Sequence, residues 1–467
     1  MTQREAPLTK PEMVGLVAMG LSILVIAIDF TALSVALPAM ESDFGSDVTT
    51  VQWVISGYAL VFGMFIVTGG RLADMFGRRR IMFIGIAIFC LFSALGGLAW
   101  NVWVLLVARC LMAVGAALTW PAILGMTYAL VPANRAALAG GMIMAAVGFG
   151  NAVGPLLGGT LTDLLSWRWI FFVNLPVGAA AVLITWIVVA SDKPEAIEEK
   201  VDYAGVATLS LGLFALLLSL DIATDFGWLS APVLGLFVFA AVALAAFAWV
   251  EKRAGPEALM PKDVRTNRTF IATGITTLLL SAIFFAALVY MPQFMTEKLG
   301  YSAMQAGFGM LPMMATSALV PLAAGPLYER LGAKFTLATA VACLGGGIFL
   351  LSWLAPGTTF LDLVPGLLVL GVGSGLFYAS ITTTAITALD PSRSSLAGAT
   401  IYMFQVAGGA IGLGLNTALV VSASSLDQGI NTAFRLDTIL AACGLLVVVL
   451  FIGSRIDREG DARGSTP

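Results

Sequence analysis

Apolar stretches of membrane-crossing length recur along the whole chain, and that one feature removes water-soluble architectures. A helix needs about 20 apolar residues to traverse ~30 Å of hydrocarbon. The sequence contains fourteen such stretches, at roughly 13–38, 50–70, 81–100, 103–130, 136–160, 169–190, 203–224, 231–250, 269–293, 303–325, 335–355, 361–388, 396–423 and 436–454. Backbone polar groups cannot stay unpaired in lipid, so the spans must be helices or a closed barrel. Runs this long, without two-residue alternation, are helical. Composition agrees: 59% of the 467 residues are hydrophobic and 11% are charged, where a soluble chain carries about 25% charged residues. The expected fold is an all-α polytopic membrane protein.

Loop charge gives an independent view of topology. With the N-terminus placed in the cytoplasm, inner loops and tails hold 20 of the 24 Lys and Arg residues; outer loops hold three, Arg168, Lys298 and Arg435. Arg109 remains as the only base inside a run. Cytoplasmic loops carry such an excess, so an even number of spans with both termini cytoplasmic is expected. The net charge of −3 then reports topology; a monomer in the lipid bilayer, with no nucleic-acid partner, is expected. The first run is too long for a signal peptide and leads into further spans. Cys90, Cys110, Cys343 and Cys443 fall in different apolar runs and suit packing, not a disulfide or metal framework. The chain has no histidine, which excludes His-based catalysis, His–metal sites and His proton relays.

Two internal echoes divide the chain. Gly70–Arg79 returns as Gly325–Lys334: Gly70/Gly325, Leu72/Leu327, Asp74/Glu329, Gly77/Gly332 and Arg79/Lys334 all match at an offset of 255. Arg135–Gly140 matches Arg393–Gly398 at offset 258, which also carries Gly150, Ala152 and Gly154 onto Gly408, Ala410 and Gly412. The fifth run thus corresponds to the thirteenth, so each half holds six spans and two are inserted. The expected divisions are residues 1–201, an inserted pair over 202–267, and 268–467. The basic stretch Glu251–Arg268 suits a position along the membrane surface. Two pseudo-symmetric six-helix bundles related by an axis along the membrane normal, with a site between them, are a transporter architecture.

Asp29 is the sharpest single residue. It lies nine residues from Pro38, hence ~14 Å deep along a helix. A carboxylate there is costly and marks a functional site by default. Burial and a nearby cation act on it in opposite senses, so alternation between those surroundings makes a proton switch; the plain alternative is a permanent tie to a neighbouring helix. Arg109, ~9 Å deep in the fourth run, is the candidate partner, and sequence leaves the pairing open. Intramembrane charge is expected in the first half alone. In the fifth run, Gly150, Gly154 and Gly158 give a smooth face for close helix contact, and Pro155 bends the helix. At the turn between the second and third runs, Asp74 suits a helix cap or a facing helix N-terminus, and Arg78–Arg80 suit the anionic inner surface.

These segments resemble the major facilitator superfamily. Gly70–Arg80 is similar to its motif A, departing at Met75, where the family usually has Arg. Gly150–Gly159, with Gly154-Pro155, looks like the antiporter motif of its exporters. Arg109 stands where those families place an arginine in the fourth helix. Asp29–Pro38, Gln52-Trp53 with Tyr58, and Trp167–Gly178 resemble the fourteen-helix drug:proton antiporters in particular. The resemblance implies export of hydrophobic or amphipathic drugs and toxic compounds, driven by inward proton flow and with no cofactor. It also implies that Asp29 is a proton-linked acid, Arg109 its modulator, and Gly70, Asp74, Gly77, Arg78 and Arg79 an inner gate. Trp120, Asn151, Phe377, Tyr378 and Gln405 are candidates for the cavity wall, with plain packing as the alternative for each. The 303–325 run carries no acid, which favours a neutral, singly charged or anionic amphipathic substrate. A phosphate-binding loop for a pump is absent, an enzyme would lack the usual nucleophile–base groups, and the loops are short for a receptor domain. The competing transport reading is export of an endogenous metabolite or self-made antibiotic.

Overall fold

Helix starts follow the polar residues that bracket the apolar runs. Thr9 and Glu12 form a reciprocal cap at the first helix, and Asp47, Asn101, Asp202 and Asn267 each cap a later one through a side-chain oxygen. The computed structural model describes residues 9–132, 135–190, 202–255 and 258–453. The long helices are α1 (Lys10–Ala32), α2 (Val48–Phe76), α3 (Arg78–Gly97), α4 (Val102–Ala129), α5 (Ala136–Leu164), α6 (Trp169–Val188), α7 (Tyr203–Phe226) and α8 (Ala231–Ala254). They continue with α9 (Arg268–Glu297), α10 (311–331), α11 (333–350), α12 (Phe360–Thr387), α13 (Ser394–Ser422) and α14 (Leu426–Phe451). Thirteen helices among the described residues are long and apolar enough to cross a membrane, because Leu311–Leu350 runs on as one. Gly332 breaks that helix with φ 82° and ψ 166°, which restores fourteen crossing segments.

The break at Gly332 repeats the one at Gly77, where φ is 95° and ψ 124°. A positive φ is open to glycine at little steric cost, so the repeated glycine is what lets two helices meet with no intervening loop. The turn is therefore tighter than the sequence reading made it: α2 runs on past Gly70 to Phe76, and Asp74 stands on the helix. Another boundary differs more. α14 starts at Leu426, ten residues before the expected 436, because its polar first turns pack against protein and do not form a loop.

Two hydrophobic cores organise the spans. One is built mainly from α1–α6, with additions from α7, α12 and α13, the other mainly from α9–α14. Across the middle, α5 packs on α10 and α2 packs on α13. The inserted helices sit beside the second of these seams: α7 packs on both α2 and α13, and α8 packs on α7. The first expected division, at 201, lies outside the described residues. The stretch after α8 keeps one side against protein. Leu259 and Val264 are buried with the first core, and the buried Glu251 carboxylate accepts the Leu259 and Met260 N–H groups at 2.8 and 3.1 Å.

Candidate functional site

Asp29 and Arg109 form a direct ion pair inside the first bundle. Arg109 donates to Asp29 at 2.5 Å, with side-chain exposures of 1% and 0%, so water does not screen the pair. Three further contacts fix it. Arg109 donates to the Val54 carbonyl at 3.2 Å and lies over the Tyr58 ring at 4.0 Å. The other Asp29 oxygen accepts from Asn174 at 2.9 Å. Asn174 also donates to Ser93 at 3.1 Å, and Ser93 to the Phe171 carbonyl at 2.8 Å. Sequence reasoning missed Asn174 as a partner, although it lies inside the Trp167–Gly178 segment that carries part of the family resemblance.

The α5 glycine face serves this pair. A Cβ at Gly150 would stand 2.8 Å from Ala27, one at Gly154 3.0 Å from the Ile28 carbonyl, and one at Gly158 2.2 Å from the Ala32 carbonyl. The face therefore seats α1 on either side of Asp29. Pro155 lies within the same continuous helix. The repeat holds in three dimensions, since a Cβ at Gly408 or Gly412 would strike Leu278 or Ala282 of α9. The seam uses other glycines: Gly70 against Ser395 and Leu396 of α13, and Gly325 against Ala137 and Leu138 of α5.

At the face bearing the two glycine turns, called here the turn face, the halves are latched. Asp74 accepts Arg78 Nε at 3.0 Å and the backbone N–H groups of Ser395 and Leu396 at 3.2 and 2.9 Å. Those two N–H groups open α13, so a carboxylate meets the positive end of a helix. Arg78 also donates to the carbonyls of Gly125 and Pro391 at 3.2 and 2.6 Å. Arg79 donates to the Trp186 and Val189 carbonyls at the end of α6. The second copy of the motif is looser: Glu329 faces Arg135 at 4.0 Å. Tyr128 and Thr383 join the halves nearby at 3.0 Å.

Behind the latch lies a cavity of about 70 Å³, walled by both halves and lined by Trp120, Asn151, Tyr378, Tyr402 and Gln405 among others. Four of the five expected wall residues are here. Phe377 is not; it is fully buried in the second core. Tyr402 was missed by the sequence reading and packs on Trp120 with ring centroids 4.7 Å apart. Further out, toward the opposite face, a cleft of about 460 Å³ opens between α2, α7, α9 and α13. Asp221 lines this cleft and accepts from Ser56 at 3.1 Å.

The expectation that intramembrane charge is confined to the first half is overturned. Because α14 begins at Leu426, both Arg435 and Asp437 lie within a crossing helix. Arg435 lies over the Trp353 ring at 5.2 Å. Asp437 is fully buried and accepts from Asn416 at 3.0 Å.

Two helical bundles facing one another across a cavity, latched at one face and open at the other, define a many-span membrane transporter. Residues 19–413 match the Major Facilitator Superfamily model, and the chain belongs to that family. It is similar to the multidrug transporter protein MdtP of Bacillus subtilis, at 30% identity over 83% of this chain and 71% of that one. It is also similar to the puromycin resistance protein pur8 of Streptomyces alboniger, at 32% identity over 91% and 85%. Among solved structures, the human organic anion transporter MFSD10 (TETRAN) superposes with a TM-score of 0.67 at 13% identity, covering 94% of this chain and all of that one; at that identity the likeness concerns the fold.

Proposed function

We propose that this chain exports hydrophobic or amphipathic small molecules, drugs among them, in exchange for protons by alternating access. It acts as a transporter and not as an enzyme, in a bacterial cytoplasmic membrane, with the turn face and both termini on the cytoplasmic side. The observation that carries the reading is the buried Asp29–Arg109 pair seated against the α5 glycines. Arg109 stays charged at any physiological pH, so Asp29 is the member that can change. Protonating it removes the attraction and leaves the guanidinium held by the Val54 carbonyl and the Tyr58 ring. That ring stacks on Phe62 at 6.2 Å, and Phe62 packs on Trp120 and Tyr402 of the cavity at 6.2 and 5.5 Å. A change at Asp29 thus has packed aromatic contacts leading to the substrate wall. Among the described residues no charged side chain lines the central cavity, which favours a substrate held by ring stacking and neutral hydrogen bonds. The names of the multidrug and puromycin resistance relatives support drugs as cargo.

The test uses purified protein in liposomes under an imposed pH gradient. Asp29→Asn abolishes gradient-driven transport while substrate exchange without a gradient persists; undiminished gradient-driven transport would overturn the assignment. Susceptibility profiling in a host stripped of its own pumps separates drugs from an endogenous metabolite. Unchanged susceptibility to every dye and antibiotic, with a metabolite accumulating in a deletion strain, would favour the metabolite.

A further inference from the structure

Asp437 is the second bundle's only fully buried carboxylate among the described residues. One of its oxygens accepts from Asn416 Nδ2 at 3.0 Å. Its other oxygen and the Asn416 amide oxygen are both buried without a hydrogen-bond partner, and among the described residues no salt bridge ends on Asp437. Two orphaned acceptors therefore sit on two side chains already joined by one hydrogen bond. An ionised carboxylate here would be an uncompensated buried charge, which costs several kcal/mol. A proton on Asp437 Oδ1 removes that charge and supplies the donor that the Asn416 oxygen lacks, closing an acid–amide pair.

We propose that Asp437 carries a proton in this conformation and exchanges it during transport, as a second coupling acid. This rests on the proton-coupled reading above. The surroundings suit it. On α9, Tyr290 bonds Thr417 at 2.6 Å, and Thr417, next in the chain to Asn416, lines the cleft at the opposite face. The pair therefore lies one helical position from the wall of that cleft. Lys298, at the end of α9, is taken by Asp427 at 2.9 Å, and Arg435 is turned to Trp353. The titratable residues of α11 are Lys334 and Cys343, and that of α13 is Tyr402 in the central cavity. None of these offers a permanent counter-charge. The proton enters from water in the cleft and leaves to water at the turn face after the halves rock, with no electron transferred.

Infrared spectroscopy of the full chain in liposomes, with isotope-labelled aspartate, tests the protonation directly. Wild type shows a protonated-carboxyl band at neutral pH that disappears in Asp437→Asn. Asn416→Ala, which keeps the acid and removes its partner, shifts the band and covers the case in which Asp437→Asn does not fold. In transport assays Asp437→Asn moves one proton fewer per substrate. Absence of the band, or a band indifferent to both variants, or an unchanged proton count would overturn the inference. Failure of the underlying reading looks different: wild type would move substrate with no proton flow, and Asp29→Asn would behave as wild type.

Discussion

At the scale of single residues, the buried pair should behave as a unit. Arg109→Ala leaves Asp29 uncompensated and costs about 3–5 kcal/mol, read as a lower melting temperature in detergent. Combining Asp29→Leu with Arg109→Met recovers most of that loss, because a well-packed apolar pair avoids desolvation altogether. A doubly substituted protein that melts no higher than Arg109→Ala would contradict the pairing as the source of the cost. Arg109→Lys keeps the charge, yet gives up the planar stack on Tyr58 and weakens coupling. Asp29 and Arg109 were legible in the sequence because a charge in an apolar run has few ordinary explanations. Asn174 was not, since a neutral amide costs less in a membrane and stands out less. Asp437 was passed over for a related reason: with the run expected to begin at 436 it stood at a span end, where a carboxylate is ordinary, and Asp427, Gln428, Asn431 and Arg435 hid the helical turns that precede it.

Among elements, α5 makes the sharpest contrast between neighbouring positions. Gly154→Val drives a side chain into Ile28 and Thr31, whereas a Cβ at Gly159 meets nothing within 4 Å. Overpacking typically costs about 1–3 kcal/mol, so Gly154→Val lowers stability and transport together while Gly159→Val leaves both near wild type. Equal effects of the two in a thermal melt would show that α1 does not rest on this face. Gly77→Ala forces an L side chain to φ 95° and costs about 1–3 kcal/mol of backbone strain, measurable by the same melt. The four-residue glycine spacing announced a close contact, but spacing cannot say with which helix. That answer needs the third dimension, and here it lies inside the bundle.

For the whole molecule, the turn-face latch sets which way the transporter faces. Hydrogen bonds to a charged group contribute about 1.5–3 kcal/mol each, and every 1.4 kcal/mol is about tenfold in population. Asp74→Asn keeps the shape but loses the charge against the α13 N-terminus, so it shifts the population toward a state open at the turn face. Spin labels at Arg80 and Asp390 then report a longer separation; an unchanged distance distribution would remove Asp74 from the latch. The duplication and the number of spans were legible from charge and offsets. The state was not, because one sequence serves both states and only packing distinguishes them. The inserted helices carry a last consequence. α7 holds the α2–α13 seam through Ser210 on the Met64 carbonyl and Leu217 against Gly63, whereas α5 and α10 expose Phe149, Leu156, Leu319 and Leu322. One side of the machine is splinted by its own chain, and the other leaves large apolar side chains uncovered. Acyl-chain length and headgroup should therefore tune the two sides unequally, and photoactivatable lipids should label α5 and α10 more heavily than α2, which α7 covers.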